Sequence, residues 1–417
     1  MTCPQSTAHS FGLGGMPAQF NSSGFLQGEA LSGLVPTNFT FEMHKIFGRD
    51  KFSDDDVDYG KLELSLRMAS ALLMAAIPIF HTILVVGPKD TNKMTDDGKP
   101  IYQFPDPVEV LSADEVYTTW RRLDQMASGI SFYIAGTEEH DIAWCVRLLA
   151  NDGSLGPDLK GSGSTINIGK GLYDSVVKSF DDETDIINQQ ASAFNLATTL
   201  IHELTHAAIN ASTPYFHSIC SVQYYLGESA CTTEVGFETE AWLYGGVIPC
   251  LAIGGVEEYY NRDTGKWSHL NHLLTATEYP CPTRTALYAN HPIKLYVRRG
   301  MKPTEIIWNV SFLHIHQLFQ DELWTDFFPH YGRKVLRFAK ATGFRFLVRS
   351  GKNELTPVLW DTDGVIDLPG HYVDKTGMIR KQGDQVAEEE EKKGAGGLMF
   401  RVGKLKDSAL ARVFGKG

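Results

Sequence analysis

The stretch TLIHELTHAAIN, from Thr199 to Asn210, constrains the fold more than any other segment, because apolar residues recur around it at helical spacing. These residues stand at i, i+4, i+8, i+11, i+12 and i+15, and they are Leu196, Leu200, Leu204, Ala207, Ala208 and Ala211. The pattern predicts a long helix with one buried face. Pro214 follows closely and predicts the end of that helix.

Two histidines of this stretch, His202 and His206, lie off the apolar stripe and are four residues apart. Residues at that spacing project from the same side of a helix, with Cβ atoms about 5 to 6 Å apart. Two imidazole nitrogens can close that gap onto one zinc ion at about 2.0 to 2.1 Å each. Glu203 occupies the general-base position of the HExxH motif. The segment therefore predicts two zinc ligands and a catalytic base.

A third protein ligand is needed for zinc, and the segment GESACTTEVGFETEAWLYGG supplies candidates. The candidates are Glu228, Glu234, Glu238 and Glu240. Glu234 and Glu238 share a helix face at i, i+4, so one could bind the ion while the other orients a ligand histidine. Glu240 is expected to point elsewhere on that helix. The pair Gly245 and Gly246 predicts the end of the helix.

The remaining periodicity indicates an α+β protein whose small sheet lies in the N-terminal half, followed by a mostly helical C-terminal lobe. The stretches ISFYIAG and STINIGKGLY have the residue types of strands. The apolar stretch from Met68 to Val86 is as long as a membrane span, but Pro78 and His81 interrupt it. We interpret it as a core helix followed by a buried strand, HTILVVG, and we predict no membrane segment.

Composition divides the chain into three parts and excludes one class of partner. Residues 1–40 are rich in Gly, Ser, Thr and Pro and predict a flexible arm, residues 41–381 form the catalytic domain in two lobes, and residues 382–417 form a charged linker and tail. The net charge of −12, without a basic stripe, argues against nucleic acid as a partner.

The N-terminal sequence and the cysteines bear on the cellular compartment. MTCPQSTAHSFGLGGMPAQF has neither a basic n-region nor an apolar h-region, so a cytoplasmic location is expected. The six cysteines are scattered without CxxC spacing, which predicts reduced thiols. The sequence leaves the oligomeric state open.

At the residues described above, the chain resembles the zincin metallopeptidases, and specifically the gluzincins, in which a later helix supplies a glutamate ligand after HExxH. The pattern Glu234-Val235-Gly236, with Glu240 and then Gly245-Gly246, also resembles a group of uncharacterised fungal HELxH proteins. QDELWTDFFPHYGRKVLR is similar to a late segment of that group, so the resemblance spans residues 166–337. Thr233 stands where the peptidases commonly have Asn.

The resemblance implies a zincin-like fold in which an edge strand of the small sheet, such as STINIGKGLY, lies over the HExxH helix beside a cleft near residues 202–240. It implies zinc as cofactor, with His202, His206 and Glu234 as ligands and Glu203 as general base. The expected substrate is a peptide or a small-molecule amide that pairs with the sheet edge or enters a pocket.

Two other functions stay open at this point. One is a zinc enzyme that acts on a small metabolite in a biosynthetic pathway, because a fold does not fix its reaction. The other is a non-catalytic protein whose zinc site is closed by a fourth ligand such as His217, Glu228 or a cysteine. Several side chains could stabilise an oxyanion, and the sequence does not choose among Tyr224, Tyr225, Tyr244, Tyr259, Tyr260 and His291.

Overall fold

A computed structural model gives the architecture of this chain. The structure describes residues 37–53, 56–95, 98–136, 143–148, 155–214, 222–228, 230, 232–248, 257–261, 266–270, 275–279, 304–339, 342–348, 355–361, 366–373 and 379–382. Most of the predicted arm and tail, residues 1–36 and 383–417, therefore lie outside the described residues. Residues 37–40 of the predicted arm pack on the body, where Thr37 donates to the Phe319 carbonyl at 2.8 Å.

Helices form the centre of the protein. Those of the described residues are α1 (Tyr59–Ala75), α2 (Ile77–His81), α3 (Ala113–Met126), α4 (Lys170–Ser179), α5 (Ile186–Ser212), α6 (Val235–Tyr244), α7 (Phe312–Leu318) and α8 (Phe328–Tyr331). Two π-helical turns, Thr82–Val86 and Leu323–Phe327, adjoin α2 and α8. Short 3₁₀ turns occur at Lys45–Phe47, Arg49–Lys51, Ala127–Gly129 and Gly332–Leu336.

Small sheets accompany the helices and confirm the α+β class. The described part of residues 89–226 contains β1 (Lys89–Met94), β2 (Pro100–Phe104), β3 (Ile130–Ala135), β4 (Ala143–Arg147), β5 (Ser164–Gly169) and β6 (Gln223–Leu226), so all but β6 lie in the N-terminal half. They form two sheets with the strand orders β1-β2-β6 and β3-β5-β4. In the second sheet β5 is parallel to β3 and antiparallel to β4.

The C-terminal half contains more strand than the sequence analysis predicted. Its strands are β7 (Glu257–Asn261), β8 (Lys266–Leu270), β9 (Thr275–Thr277), β10 (Thr304–Asn309), β11 (Thr342–Val348), β12 (Leu355–Asp361), β13 (Ile366–Leu368), β14 (His371–Val373) and β15 (Ile379–Lys381). They form a four-stranded sheet, a three-stranded sheet and a hairpin. The prediction of a mostly helical C-terminal lobe is therefore wrong, because these short strands lack a long apolar run that would mark them in the sequence.

Helix α5 is the element around which the others pack. The six residues of the predicted stripe are all buried, and α1, α4, α6, β4 and β5 lie against the helix. Asp185 begins the helix by accepting the Asn188 N–H, and Thr213, just before Pro214, ends it. The predicted helix and its end are confirmed.

The stretch from Met68 to Val86 is helical apart from a turn at Ala76, so the predicted strand HTILVVG is wrong. After α1 and α2 the chain continues through a π-helical turn and stops at Gly87, whose φ of 77° is in the left-handed region. A short continuous apolar run carries no period that separates a strand from a helix. Within the described residues, no single helix is both long and apolar enough to cross a membrane. The helical segments 59–75 and 77–86 meet both conditions only when they are counted together, and they are bent by 64° relative to each other.

The strand STINIGKGLY was predicted to lie at a sheet edge, and this is also wrong. Only Ser164–Gly169 is strand, and it lies between β3 and β4, while Lys170 begins α4. Within the described residues, β3 and β4 are the two edge strands of this sheet, and β4 lies against α5. The Asn210 amide of α5 donates to Ser164 at 3.0 Å, and Arg147 of β4 donates to the Thr213 carbonyl at 2.5 Å.

Because α5 is buried on so many sides, shortening one of its core residues should lower the free energy of unfolding. Leu200→Ala is expected to cost about 2 to 5 kcal/mol, as large-to-small substitutions in cores do. Urea unfolding measures the change, with the exposed Val110→Ala as control and an expected effect within about 0.5 kcal/mol. An equal stability of the two variants would contradict the central position of α5.

Candidate metal centre

Helix α5 presents His202 and His206 toward α6, on the side away from its most deeply buried stripe. Their ring centroids are 5.3 Å apart. The His202 side chain is 12% exposed and that of His206 is 25% exposed, so solvent reaches both rings. The i, i+4 spacing therefore brings the two imidazoles together as the sequence predicts.

Glu234 brings a carboxylate to these rings from the residue just before α6. Its backbone is not helical, with φ −82° and ψ 78°, and its N–H donates to the Thr232 hydroxyl at 3.2 Å. One oxygen, Oε2, lies 3.5 Å from His202 Nε2 and 3.3 Å from His206 Nε2. The three predicted ligands thus meet through one carboxylate oxygen and the two Nε2 atoms.

The spacing of these atoms suits a zinc ion. Two ligands held by zinc at about 2.0 to 2.1 Å and at a tetrahedral angle lie about 3.3 to 3.4 Å from each other. The distances from Glu234 to His202 and His206 agree with that edge length, and all three ligand atoms lie within 4.8 Å of one another. The donor set of two imidazoles and one carboxylate fits zinc.

Glu240 orients His202, contrary to the expectation that it points elsewhere. Its Oε1 lies 2.7 Å from His202 Nδ1, and its Oε2 accepts the Ile248 N–H at 2.8 Å. The side chain is 4% exposed. A carboxylate on Nδ1 leaves the Nε2 lone pair free for a metal and fixes the ring plane. The wrong expectation came from treating Glu234 as part of the helix, whereas α6 begins at Val235.

The protonation of the site follows from these contacts. Burial alone would lower the pKa of His202, but its bonds to Glu234 and Glu240 outweigh burial and hold that pKa well above its ordinary value. Burial opposes ionisation of Glu234, yet His206 and His202 hold its pKa far below the usual range. These contacts favour the protonated form of His202, so a metal that binds at Nε2 would have to displace a proton.

Gly236 allows α6 to approach the His202 ring. A Cβ at this position would lie 2.3 Å from the ring carbons of His202 and 2.4 Å from Nε2. Such distances are far below van der Waals contact. Phe237, the next residue, packs edge-on against the same ring at 4.9 Å. Glycine is thus required for the distance between α5 and α6 that brings Glu234 to the histidines.

Glu203 is a buried residue of α5. Burial and, next, the negative charge of Glu203 raise the pKa of the Cys145 thiol on β4 to about 12. The charge of Glu203 also contributes to the raised pKa of His202. Glu203 therefore lies near both β4 and the first histidine. Cys145 is a free thiol, and the other cysteines lie outside the described residues.

The alternative residues from the sequence are placed elsewhere or are not described. In the described part of the chain, Glu228 and Glu238 do not join the three-residue group. Tyr244 is a core residue: it stacks on Phe338 at 5.0 Å, and burial raises the pKa of its hydroxyl. His217 and His291 lie outside the described residues, as do the side chains of Tyr259 and Tyr260.

Comparisons of the chain with known proteins identify no relative. No family model, curated protein or solved structure matches it. The geometry of the site therefore carries the functional argument.

The requirement for glycine at position 236 can be tested by zinc content. Gly236→Ala should lose most of its bound zinc, because the added methyl group occupies the space of the His202 ring. Elemental analysis of the purified variant after zinc loading measures this. Gly171→Ala is the control, since a Cβ there meets nothing within 4 Å; full zinc content in both variants would show that the approach of α6 does not matter.

The role of Glu240 can be separated from that of Glu238, which the sequence analysis favoured for orienting a histidine. Glu240→Ala should weaken zinc binding about 10- to 100-fold, because the carboxylate that orients a ligand histidine is lost. Glu238→Ala, on the same helix, should bind zinc as the wild type does. Titration against a chromogenic chelator compares the two, and the opposite order of affinities would restore the original assignment.

Proposed function

We propose that this protein is a zinc-dependent hydrolase, and specifically a metallopeptidase. The observation that carries the proposal is the pair of distances from one Glu234 oxygen to the two histidine Nε2 atoms, which match the edges of a zinc tetrahedron. His202, His206 and Glu234 would hold the ion. Glu203, next to His202 on the same helix, would serve as general base.

Zinc in such a site polarises a carbonyl group and lowers the pKa of a water to about 7. The chain's own contribution is to place proton acceptors around that position. Glu203 takes a proton from the attacking water and later delivers it to the leaving nitrogen. Glu240 keeps the His202 ring in place, so that Nε2 stays directed toward Glu234 throughout.

Three protein ligands favour a catalytic site over a structural one. Structural zinc sites are closed by four protein ligands, whereas catalytic sites keep one position for water or substrate. In the described part of the chain, the group contains two histidines and one glutamate and no further His, Cys, Asp or Glu. This composition supports hydrolysis.

A peptide is the substrate that the surroundings of the site favour. Strand β4 lies along α5 beside Glu203, and an edge strand offers backbone N–H and C=O groups to an extended chain. Two of its side chains, Trp144 and Val146, are exposed on the outer face of the sheet. A peptide paired with β4 would pass over α5 with a scissile bond near the histidines.

The proposal is tested by cleavage of a complex peptide mixture followed by mass spectrometry. The zinc-loaded wild type should generate new peptide N-termini. Glu203→Gln should retain zinc and lose about 10²- to 10⁴-fold in rate, the range of general-base catalysis. Glu183→Gln, an exposed glutamate before α5, is the matched control and should cleave normally.

Two results would contradict the proposal. Equal rates for Glu203→Gln and the wild type would remove Glu203 as the base. A zinc-loaded wild type that leaves the whole mixture uncut would remove the peptidase assignment.

A further inference from the structure

The backbone that carries Glu234 is held by a hydroxyl pair. Thr232 is fully buried, and its Oγ1 accepts the Glu234 N–H at 3.2 Å. The same Oγ1 lies 2.5 Å from the hydroxyl of Tyr279, a distance at the short end for hydrogen bonds between hydroxyl groups. Because Glu234 precedes α6 and has no helical hydrogen bond from its N–H, this pair fixes its backbone direction.

Tyr279 is also connected to His202, another of the proposed ligands, through the aromatic ring of Phe237. Its ring lies 6.0 Å from that of Phe237 at 56°, and Phe237 packs edge-on against His202 at 4.9 Å. Tyr279 is half-buried. Tyr279 is therefore linked to the Glu234 backbone through Thr232 and to the His202 ring through Phe237.

The strand before Tyr279 is firmly attached to the residues after α6. The N–H groups of Val247 and Thr277 donate to each other's carbonyls at 2.8 and 2.7 Å. Trp308 of β10, which is fully buried, packs against Gly246 so closely that a Cβ there would lie 2.6 Å from its ring. Strand β9 pairs with β10. Tyr279 thus stands two residues beyond an anchored strand.

We propose that Tyr279 is a positioning residue for the metal site and acts through Thr232 on the carboxylate of Glu234. The inference rests on the proposed metal site, but it concerns a residue that follows β9 and lies outside α5 and α6. The hydroxyl pair holds Thr232 so that its oxygen faces the Glu234 N–H. The four-stranded C-terminal sheet, β9 to β12, thereby contributes to the zinc affinity of a site built on α5 and α6.

The test compares zinc dissociation constants, measured by competition with a chromogenic chelator, for the full chain and its variants. Tyr279→Phe and Thr232→Val should each weaken binding about 10- to 100-fold, the range for residues that orient metal ligands. Both substitutions remove the hydrogen bond between Thr232 and Tyr279. The double variant should therefore bind zinc no more weakly than whichever single variant has the lower zinc affinity. Thr232→Ser keeps the hydroxyl and should restore wild-type affinity.

A matched control and a second readout separate positioning from general loss of structure. Tyr59→Phe removes a hydroxyl that donates to the Phe47 carbonyl at 2.8 Å near α1, and it should leave zinc affinity unchanged. With Co²⁺ in place of zinc, the visible absorption spectrum of Tyr279→Phe should differ from that of the wild type, since the Glu234 carboxylate shifts. Tyr59→Phe should give the wild-type spectrum.

The outcomes distinguish this inference from the proposed function. Zinc binding by the wild type, together with unchanged affinity and an unchanged Co²⁺ spectrum in Tyr279→Phe, would overturn the role of Tyr279 alone. Failure of Thr232→Ser to bind more tightly than Thr232→Val would also overturn it. A wild type that binds no zinc would overturn the metal site itself.

Discussion

The close approach of α6 to α5 at Gly236 is the contact on which the site depends. At this point the His202 ring occupies the space that a side chain at position 236 would fill, so the backbone of α6 lies directly against the ring. Two consequences follow from the same approach. Glu234, just before α6, reaches both Nε2 atoms, and Glu240, in the helix, reaches Nδ1. The short segment from Glu234 to Glu240 thus supplies a carboxylate oxygen to each nitrogen of His202.

The charges at this contact explain why the arrangement suits a cation. Glu203, Glu234 and Glu240 bring three carboxylates to two imidazoles, and buried carboxylates are costly unless they are paired. Glu240 is satisfied by two N–H donors, whereas Glu234 depends on the histidines. Metal binding at the Nε2 atoms requires neutral histidines, and the three carboxylates then leave excess negative charge. A divalent ion held by the Nε2 atoms and Glu234, as proposed, would offset most of that charge.

Much of α5 could be predicted from the sequence, because the features that define it are local. The apolar stripe and the i, i+4 histidines lie within α5, and Pro214 follows directly after its C-cap Thr213, as expected. Glu240 could not be assigned in this way. Its direction depends on α6 beginning after Glu234, and a one-residue change in a helix start rotates every later side chain by about 100°.

The errors elsewhere have a similar cause. Most of the run HTILVVG is apolar without a period of two or of 3.6, so its hydrophobicity does not distinguish a strand from a π-helical turn. The place of β5 between β3 and β4 is set by long-range pairing that a single strand does not encode. The link from Tyr279 to Thr232 joins residues 47 positions apart, and no periodicity marks it.

X-ray anomalous scattering at the zinc absorption edge, on crystals of the zinc-loaded protein, tests the central claim most directly. The account predicts one anomalous peak at about 2.0 to 2.2 Å from His202 Nε2, His206 Nε2 and a Glu234 oxygen. It predicts Glu240 on Nδ1 of His202 in the same map. Side chains of His202, His206 and Glu234 that point apart, with no peak between them, would contradict the account.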